Sequence, residues 1–320
     1  MGGSAVILNK RQLNMQSRNN LKLGLCCLFH NEPIKFKTYT KTALKKLSNP
    51  EQIEKVLQIC SHNIKTLQEA INFCGKEEIE SYRFSSDLFP HFDYIETILS
   101  QKDLDWLFGK LKNTDTKNII ISCHPGQHVN LGSPTEEVQL NSISDLRYHG
   151  LLCESLNSKE INIHLGGHYG NKEQAKERFI KSFNSLYNKN ITIENDELSY
   201  SVEDCLEVAE TLNIPVTFDL HHHRCHSLNY QSGFAEHELF LKCKQTWINA
   251  GYNYMRMHLS NPKCEEYSSA SKSRGHSDMI YDLSSIPDWL LEESLSFDIH
   301  LDIEAKHKEV AIFDLRNKLR

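Results

Sequence analysis

Eight short apolar runs, separated by longer amphipathic segments, are the feature that most constrains how this chain can fold. Short apolar runs bounded by polar residues are typical of buried strands, and apolar residues at three- and four-residue spacing between them predict helices. Strands that alternate with helices predict an α/β fold with a parallel sheet. The runs cover residues 21–29, 82–86, 118–124, 161–167, 191–196, 214–221, 254–260 and 297–306.

The residues at the ends of these runs favour one of two parallel architectures. In a closed barrel the carboxyl ends of all strands meet at one mouth, whereas in a doubly wound open sheet they would lie along a line. We therefore predict a single-domain (β/α)8 TIM barrel over residues 21–320, preceded by a flexible tail over residues 1–20. The polar residues of ligand type at the predicted strand ends are Asp87, His124, His164, Glu194, Asp219, His258 and Glu304.

The segment FDLHHHRCH, residues 218–226, places one Asp and four His directly after an apolar run. A solvated loop and a metal site at a strand end both fit this composition. We predict that Asp219 and His222 bracket a turn and face inward, while His221 and His223 point away. No role is assigned to His226.

Together, the candidate residues form a set of nitrogen and carboxylate ligands without a thiolate. Such a set suits Mn, Zn or Fe rather than a structural zinc site built from Cys. Eight ligands exceed one tetrahedral site, so two or three ions sharing carboxylates are expected, an arrangement suited to in-line displacement at phosphorus. For each His alone, a hydrogen-bonded rim residue is the alternative. The set is His124, His164, Glu194, Asp219, His222, His258, His276 and Glu304.

Charge and cysteine content limit the other function classes. The net charge of −6 argues against binding nucleic acid through global positive charge, but residues 1–65 carry eleven Lys and Arg against three Glu. A local phosphate-facing surface and an ordinary solvated surface both explain that excess. The ten Cys include no C-x-x-C pair, and neither a signal peptide nor a membrane-length apolar run is evident. We expect an intracellular protein, cytoplasmic or in the nucleoid or nucleus, with no membrane partner.

Several long motifs resemble, in order and spacing, those of the UV damage endonuclease family. The resemblance implies a metal-dependent barrel similar to endonuclease IV that acts on double-stranded DNA as a monomer. It implies incision immediately 5′ to cyclobutane pyrimidine dimers and 6-4 photoproducts, leaving a 3′-hydroxyl and a 5′-phosphate, with Mn²⁺ favoured and Zn²⁺ or another ion as alternatives. The motifs are RFSSDLFPH (83–91), HPGQHVNLGSP (124–134), HLGGHYGNKEQAKERF (164–179), ENDE (194–197), IPVTFDLHHH (214–223), MHLS (257–260) and EAKHKE (304–309).

The same resemblance assigns roles to individual residues. All eight candidate ligands become metal ligands, and Glu194 is expected to bridge two ions as the central catalytic carboxylate. His91 is expected near the scissile phosphate, with a capping His in a Pro turn as the alternative. Asp278 is expected to complete the third metal site or to orient His276.

The chain also departs from the family pattern at three positions. Leu25 stands where the family commonly has Tyr, and Gln127–His128 stands where a Gln–Tyr pair is usual. We expect these three residues to probe the duplex at the lesion. Arg256 stands where the family often has a Lys, a residue type that can be carboxylated, and a guanidinium cannot be modified in that way. Arg256 is expected to act at the catalytic site by contacting phosphate or a neighbouring carboxylate.

Three other functions fit parts of the pattern. An abasic-site endonuclease of the endonuclease IV type and a metal-dependent sugar isomerase would use the same barrel. A non-enzymatic damage sensor would keep the probing residues but could lose ligands, so the complete set of eight speaks against it.

Overall fold

The computed structural model describes residues 20–228, 233–264, 266–267 and 271–319, so the predicted tail lies almost wholly outside the described residues. Eight parallel strands close into a barrel in the order β1 to β8, and each overlaps one of the predicted runs, with β2 beginning one residue before its run. The predicted single TIM barrel is confirmed, and the open sheet is excluded. The strands are β1 Leu21–Cys26, β2 Ser81–Phe84, β3 Ile120–Cys123, β4 Ile161–His164, β5 Ile191–Glu194, β6 Val216–Asp219, β7 Tyr254–Leu259 and β8 Asp298–Ile303.

Helices occupy every interval between strands, and capping residues fix where several begin. Ser201 accepts a hydrogen bond from the backbone N–H of Asp204, whose carboxylate accepts one from the Ser201 N–H in return. Among the described residues, no helix has both the length and the apolar composition to cross a membrane. The helices are α1 Lys41–Leu44, α2 Asn49–Lys76, α3 Phe92–Ile98, α4 Gln101–Lys112, α5 Glu136–Ser155, α6 Lys172–Asn184, α7 Val202–Leu212, α8 Leu220–Ser227, α9 Glu236–Asn249, α10 Asp288–Glu293 and α11 Lys308–Leu319.

The chain groups into two compact units that are described separately: a first unit, Cys26–Ile193, and a second unit that joins the residues up to Leu25 to those from Glu194 onward. In the first unit an aromatic cluster supports the segment after β2. Phe92 and Tyr148 stack with ring centroids 4.6 Å apart. The Tyr148 hydroxyl accepts from the Phe89 N–H and donates to the Ser86 carbonyl, so this cluster fixes the turn that follows the strand.

In the second unit, β7 and β8 place polar side chains on one face and apolar side chains on the other. The parallel register between β7 and β8 places Arg256 beside His300 and His258 beside Asp302. All four residues are at most 2% exposed. Alternation turns their neighbours to the opposite face of the sheet, where Met257 and its strand neighbours are buried. The polar face of these two strands leads directly to the candidate site.

Candidate active site

Three buried ligand-type side chains converge where β5, β6 and β7 end. Glu194, Asp219 and His258 each offer one ligand atom within 4.8 Å of the others, and their exposed fractions are 1%, 0% and 0%. Asp219 and His258 are direct partners in the β6–β7 register. The His258 Nδ1 lies 3.1 Å from Glu194 Oε1 and 3.8 Å from Asp219 Oδ2. One imidazole nitrogen therefore faces two carboxylates that are shielded from water.

The segments after β7 and β8 extend this group by a third carboxylate and a second imidazole. Glu304 Oε1 lies 3.3 Å from the same His258 Nδ1, and Glu304 Oε2 lies 3.7 Å from His276 Nε2. The backbone N–H of Glu304 donates to the Leu259 carbonyl, which holds the residue beside the end of β7. Glu304 thus contacts both imidazoles with different oxygens.

The histidine-rich segment is helical, which corrects the predicted turn between Asp219 and His222. Asp219 is the N-cap of α8, and its Oδ1 accepts from the His222 N–H at 2.7 Å. This cap aims the His222 ring at the carboxylates, with Nδ1 3.3 Å from Glu194 Oε1 and 3.5 Å from Asp219 Oδ2. Asn195 holds the Asp219 backbone by donating to its carbonyl and accepting from its N–H.

His221 and His223, which flank His222 in this run, have protein partners other than the carboxylates. His221 Nδ1 lies 3.3 Å from the Tyr267 hydroxyl, and its Nε2 lies 3.1 Å from the Arg274 carbonyl oxygen. The His223 ring packs against Phe218 with centroids 5.5 Å apart. These contacts arise from helical geometry, because consecutive residues on a helix point in different directions.

The electrostatics of the group favour positive charge. Burial lowers the pKa of His222, but the negative charges of Asp219 and Glu194 outweigh it, so this pKa is raised well above its ordinary value. Buried carboxylates are expensive unless a cation or hydrogen bonds compensate them. Carboxylate oxygens with imidazole nitrogens and no thiolate suit Mn²⁺ or Zn²⁺. The residues present therefore fit a divalent cation.

In the first unit, two histidines lie together at the ends of adjacent strands. His124 directly follows β3 and His164 ends β4, and their ring centroids are 5.1 Å apart. Each offers a ligand nitrogen within 4.8 Å of the other. The His124 Nδ1 lies 2.9 Å from the Pro125 carbonyl oxygen, a distance at which a ring N–H donates a hydrogen bond. Such a bond fixes the tautomer that a metal-ligating His needs.

The two predicted probing residues after β3 are exposed. Gln127 lies at the surface, and 68% of the His128 side chain is accessible. The His128 ring folds back over Gly126, where an added Cβ would lie only 2.7 Å from Nδ1. Its Nε2 lies 3.2 Å from Asp145 Oδ2 on α5. The glycine and the carboxylate together hold an exposed imidazole in one orientation.

Asp145 belongs to a network that the sequence interpretation missed. Its Oδ1 lies 2.9 Å from Nδ1 of the buried His149, and His149 Nε2 lies 3.2 Å from Ser86 Oγ. Ser86 in turn donates to the His124 carbonyl. Burial acts to raise the pKa of Asp145, but hydrogen bonds and charge attraction from His149 and then His128 outweigh it and hold the pKa below its ordinary value. Helix spacing could have suggested only that Asp145 and His149 share a face.

Leu25 does not lie where a lesion-probing residue must. Its side chain is 0% exposed because β1 buries it, so it has no surface with which to contact a base. The predicted probing role of Leu25 is corrected on that ground. Leu28 is the apolar residue that this segment exposes, with half of its surface accessible, and it directly follows Cys27, whose φ is +62°.

Arg256 contacts a carboxylate rather than DNA. It is 1% exposed, and its Nη1 lies 2.6 Å from Asp302 Oδ1. The predicted contact with a neighbouring carboxylate is confirmed, whereas the alternative phosphate contact and the catalytic role are corrected, because a buried guanidinium cannot touch substrate. Asp302 Oδ2 lies 3.9 Å from His258 Nε2, so the pair supports the side of the imidazole opposite Glu194. Asp302 is a second residue that the sequence interpretation missed.

His91 and Asp278 lie at the surface. His91 has φ +58° and directly precedes α3, and its Nε2 lies 2.9 Å from the Tyr39 carbonyl oxygen. His91 thus occupies the N-cap position of α3, but its ring contacts Tyr39 and makes no capping hydrogen bond to the helix. Asp278 is exposed, and its backbone carbonyl accepts from the His307 N–H. Glu197, which had no assigned role, places Oε2 3.9 Å from His222 Nε2.

Comparisons with known proteins agree on one family. The sequence model described as UV-endonuclease UvdE matches residues 21–320. A UV DNA damage endonuclease of Nostoc sp. is 31% identical over 98% of this chain and 96% of its own length. The crystal structure of SacUVDE is similar with a TM-score of 0.73 and 27% identity, covering 93% of this chain and 99% of that one. Endonuclease IV from Thermus thermophilus, with a TM-score of 0.55 and 14% identity over 92% of this chain and 97% of its own, shares the fold.

Proposed function

Because this chain belongs to the UV-endonuclease UvdE family and is a repair endonuclease for UV-damaged DNA, we propose that it hydrolyses the phosphodiester bond immediately 5′ to photoproducts. Its lesions are cyclobutane pyrimidine dimers and 6-4 photoproducts in double-stranded DNA, and its products carry a 3′-hydroxyl and a 5′-phosphate. The observation that carries the proposal is the buried carboxylate–imidazole group of Glu194, Asp219 and His258 at three strand ends.

The proposed ligands divide between the two units. In the second unit, six residues would hold divalent cations, with Glu194 as the proposed shared ligand: Glu194, Asp219, His222, His258, His276 and Glu304. In the first unit, His124 and His164 would hold a cation, since their ligand nitrogens lie within 4.8 Å of each other. Two or three ions would use this set, and Mn²⁺ fits a site of oxygen and nitrogen donors.

When bound, such cations activate water and neutralise charge on the phosphodiester. The chain's own contribution is orientation. Asp219 caps α8 with one oxygen and faces His222 with the other, so the helix start sets the direction of both groups. The Arg256–Asp302 pair supports His258 from behind. Because the carboxylate side chains are only 1% to 13% exposed, bulk water does not compete for their oxygens.

Lesion recognition is proposed to reside in the segment after β3. Gln127 and His128 are exposed, and Gly126 and Asp145 fix the His128 ring. A photodimer pairs and stacks poorly, so extruding it costs less than extruding a sound base. The two side chains would then contact the bases left without partners.

Incision of two matched duplexes tests the proposal. One carries a single photoproduct and the other a single abasic site at the same position, and end-labelled products are sized and tested for a 3′-hydroxyl by polymerase extension. We expect Mn²⁺-dependent cutting of the photoproduct duplex one bond 5′ to the lesion, ending in an extendable 3′-hydroxyl. Cutting of the abasic duplex alone would instead identify an abasic-site endonuclease, and cutting 3′ to the lesion would contradict the proposed position.

A further inference from the structure

Tyr169 combines exposure with an unusual backbone conformation in the segment that follows β4. Its φ is +50°, in the left-handed region, and 56% of its surface is accessible. Bulky side chains rarely adopt this conformation, which costs free energy and persists only where the surroundings impose it. Strain of this kind concentrates at sites of function, and the carboxyl end of a barrel strand is where substrate is bound. The position of this ring therefore calls for a functional reason.

Several contacts hold the Tyr169 ring in place. The buried Asn130 donates from Nδ2 to the Tyr169 hydroxyl at 3.0 Å, and Asn130 is itself anchored by its N–H to Ser142 Oγ at 2.8 Å. The ring lies over Gly167, where an added Cβ would approach ring Cε2 at 3.5 Å. At Gly166 an added Cβ would lie 2.5 Å from Asn130 Cγ. The chain thus uses a buried amide and two glycines to present one exposed aromatic ring.

Exposure alone would not single out this residue. Tyr187 is more exposed, at 84%, but it lies between α6 and β5, at the amino-terminal side of the strand. Single exposed aromatics are ordinary on protein surfaces. What distinguishes Tyr169 is its place after a strand, its left-handed backbone and the hydrogen bond from a buried side chain. Tyr187 therefore serves as a matched control.

We propose that Tyr169 is a stacking platform for an unstacked nucleobase of the DNA, distinct from Gln127 and His128. The inference rests on the proposed function, because DNA must be the substrate. Every base has a π-face, so stacking on a tyrosine tolerates any sequence and contributes affinity for locally opened DNA. A pre-positioned ring loses little conformational freedom on binding, which is why the backbone strain is useful. Selection among photoproducts is left to the segment after β3.

A lesion-free duplex with one bulged 2-aminopurine tests the platform, since stacking quenches the fluorescence of this base. The full-length enzyme with Mn²⁺ is titrated at one salt concentration. Wild type should bind with quenching, and Tyr169→Gly should bind about tenfold more weakly with the quenching lost. The affinity of Tyr169→Phe should stay within about twofold of the wild-type affinity. The control Tyr187→Ala should bind with the same affinity and quenching as wild type.

Glycine at position 169 should also relieve the left-handed strain, so its thermal midpoint should equal or exceed that of wild type. Should Tyr169→Gly unfold, Tyr169→Asn supplies the same test, because Asn tolerates this conformation. Equal affinity of wild type and the Gly or Asn variant overturns the inference. A Phe variant that binds as weakly as Gly and also shows no quenching overturns stacking, because Phe keeps the aromatic face and loses only the hydrogen bond from Asn130. Incision of the photoproduct duplex by the wild-type enzyme is measured in parallel. Absence of that incision would contradict the proposed function, whereas incision with no effect of the Tyr169 variants on binding would contradict only the stacking platform.

Discussion

The strand ends of the second unit and those of the first unit differ in charge and in access to water. In the second unit Glu194, Asp219 and His258 are at most 1% exposed. The carboxylates of Glu194 and Asp219 both face Nδ1 of His258. In the first unit the segments after the strands expose Gln127, His128 and Tyr169. A shielded anionic group suits cations, whereas an accessible polar and aromatic surface suits contact with bases. The comparison predicts that substitutions in the buried carboxylate group of the second unit affect the chemistry and that substitutions of the exposed residues after the strands of the first unit affect recognition.

The largest expected effect follows from replacing Glu194, the carboxylate proposed to bridge two cations. Glu194→Gln should abolish incision while largely retaining binding to photoproduct DNA, because a neutral amide cannot share two cations. In metal-free protein the same variant should unfold at a higher temperature than wild type, since it removes one of several buried like charges. Incision gels, mobility shifts and thermal melts with and without chelator measure these effects.

Glu293→Gln is the matched control for Glu194→Gln. Glu293 lies in the same unit but pairs with Lys244 and His237 at the surface, so its loss should leave incision unchanged. Incision by Glu194→Gln near the wild-type rate would remove this carboxylate from the chemistry and erase the distinction between the two units.

The second prediction concerns the pair beneath His258. Asp302→Asn leaves the buried Arg256 charge without its carboxylate, and breaking a buried ion pair typically costs about 3–5 kcal/mol of folding stability. Mn²⁺ affinity should fall by roughly 10–100-fold as support for the metal-facing imidazole is lost. Denaturant unfolding and metal titration check the two effects. The double variant Arg256→Met/Asp302→Asn should recover stability but not metal affinity; recovery of both would reduce Asp302 to a structural role.

These placements show what the sequence could and could not predict. The strands were predictable because each apolar run carries its own burial signal, and the convergence of Glu194, Asp219 and His258 was predictable because each lies at the end of a run. The probing role of Leu25 was wrong because it came from a family position, although Leu25 lies inside the apolar run 21–29, which already predicted a buried strand. The Arg256–Asp302 contact depends on the register between β7 and β8, which no local pattern encodes. Asp145 reaches the segment after β3 from a helix, through contacts set only by tertiary packing.

The third prediction tests recognition in the first unit. Gln127→Ala should weaken discrimination between photoproduct and intact duplex by roughly 1–3 kcal/mol, the scale of one lost base-edge or stacking contact. Cleavage of lesion held at saturating enzyme should change little, because no proposed ligand is altered. Competition binding at one salt concentration and single-turnover incision separate the two quantities. A fall in the single-turnover rate with unchanged discrimination would place Gln127 in the chemistry, against the comparison.

The smallest effect is expected at Asp145, which links His128 to the buried His149. Because its folded pKa is depressed, this carboxylate contributes stability that is fully present above its unfolded pKa of about 4 and is lost as pH falls through the lower folded value. Asp145→Asn should therefore cost about 1 kcal/mol at pH 7, and the difference from wild type should shrink below about pH 4. Urea unfolding at several pH values checks the sign.

The same variant should also loosen recognition slightly, because His128 loses the partner that orients it. Gly126→Ala provides an independent way to displace that ring, since the added Cβ would meet Nδ1 at 2.7 Å. We expect both variants to discriminate photoproduct from intact duplex less well than wild type, by a smaller amount than Gln127→Ala, with Mn²⁺ affinity unchanged. If Asp145→Asn also lowered Mn²⁺ affinity, Asp145 would act on the proposed ligand His124. The route would be the contacts through His149 and Ser86 to the His124 carbonyl. The division between residues that hold cations and exposed residues that contact bases would then fail at this carboxylate.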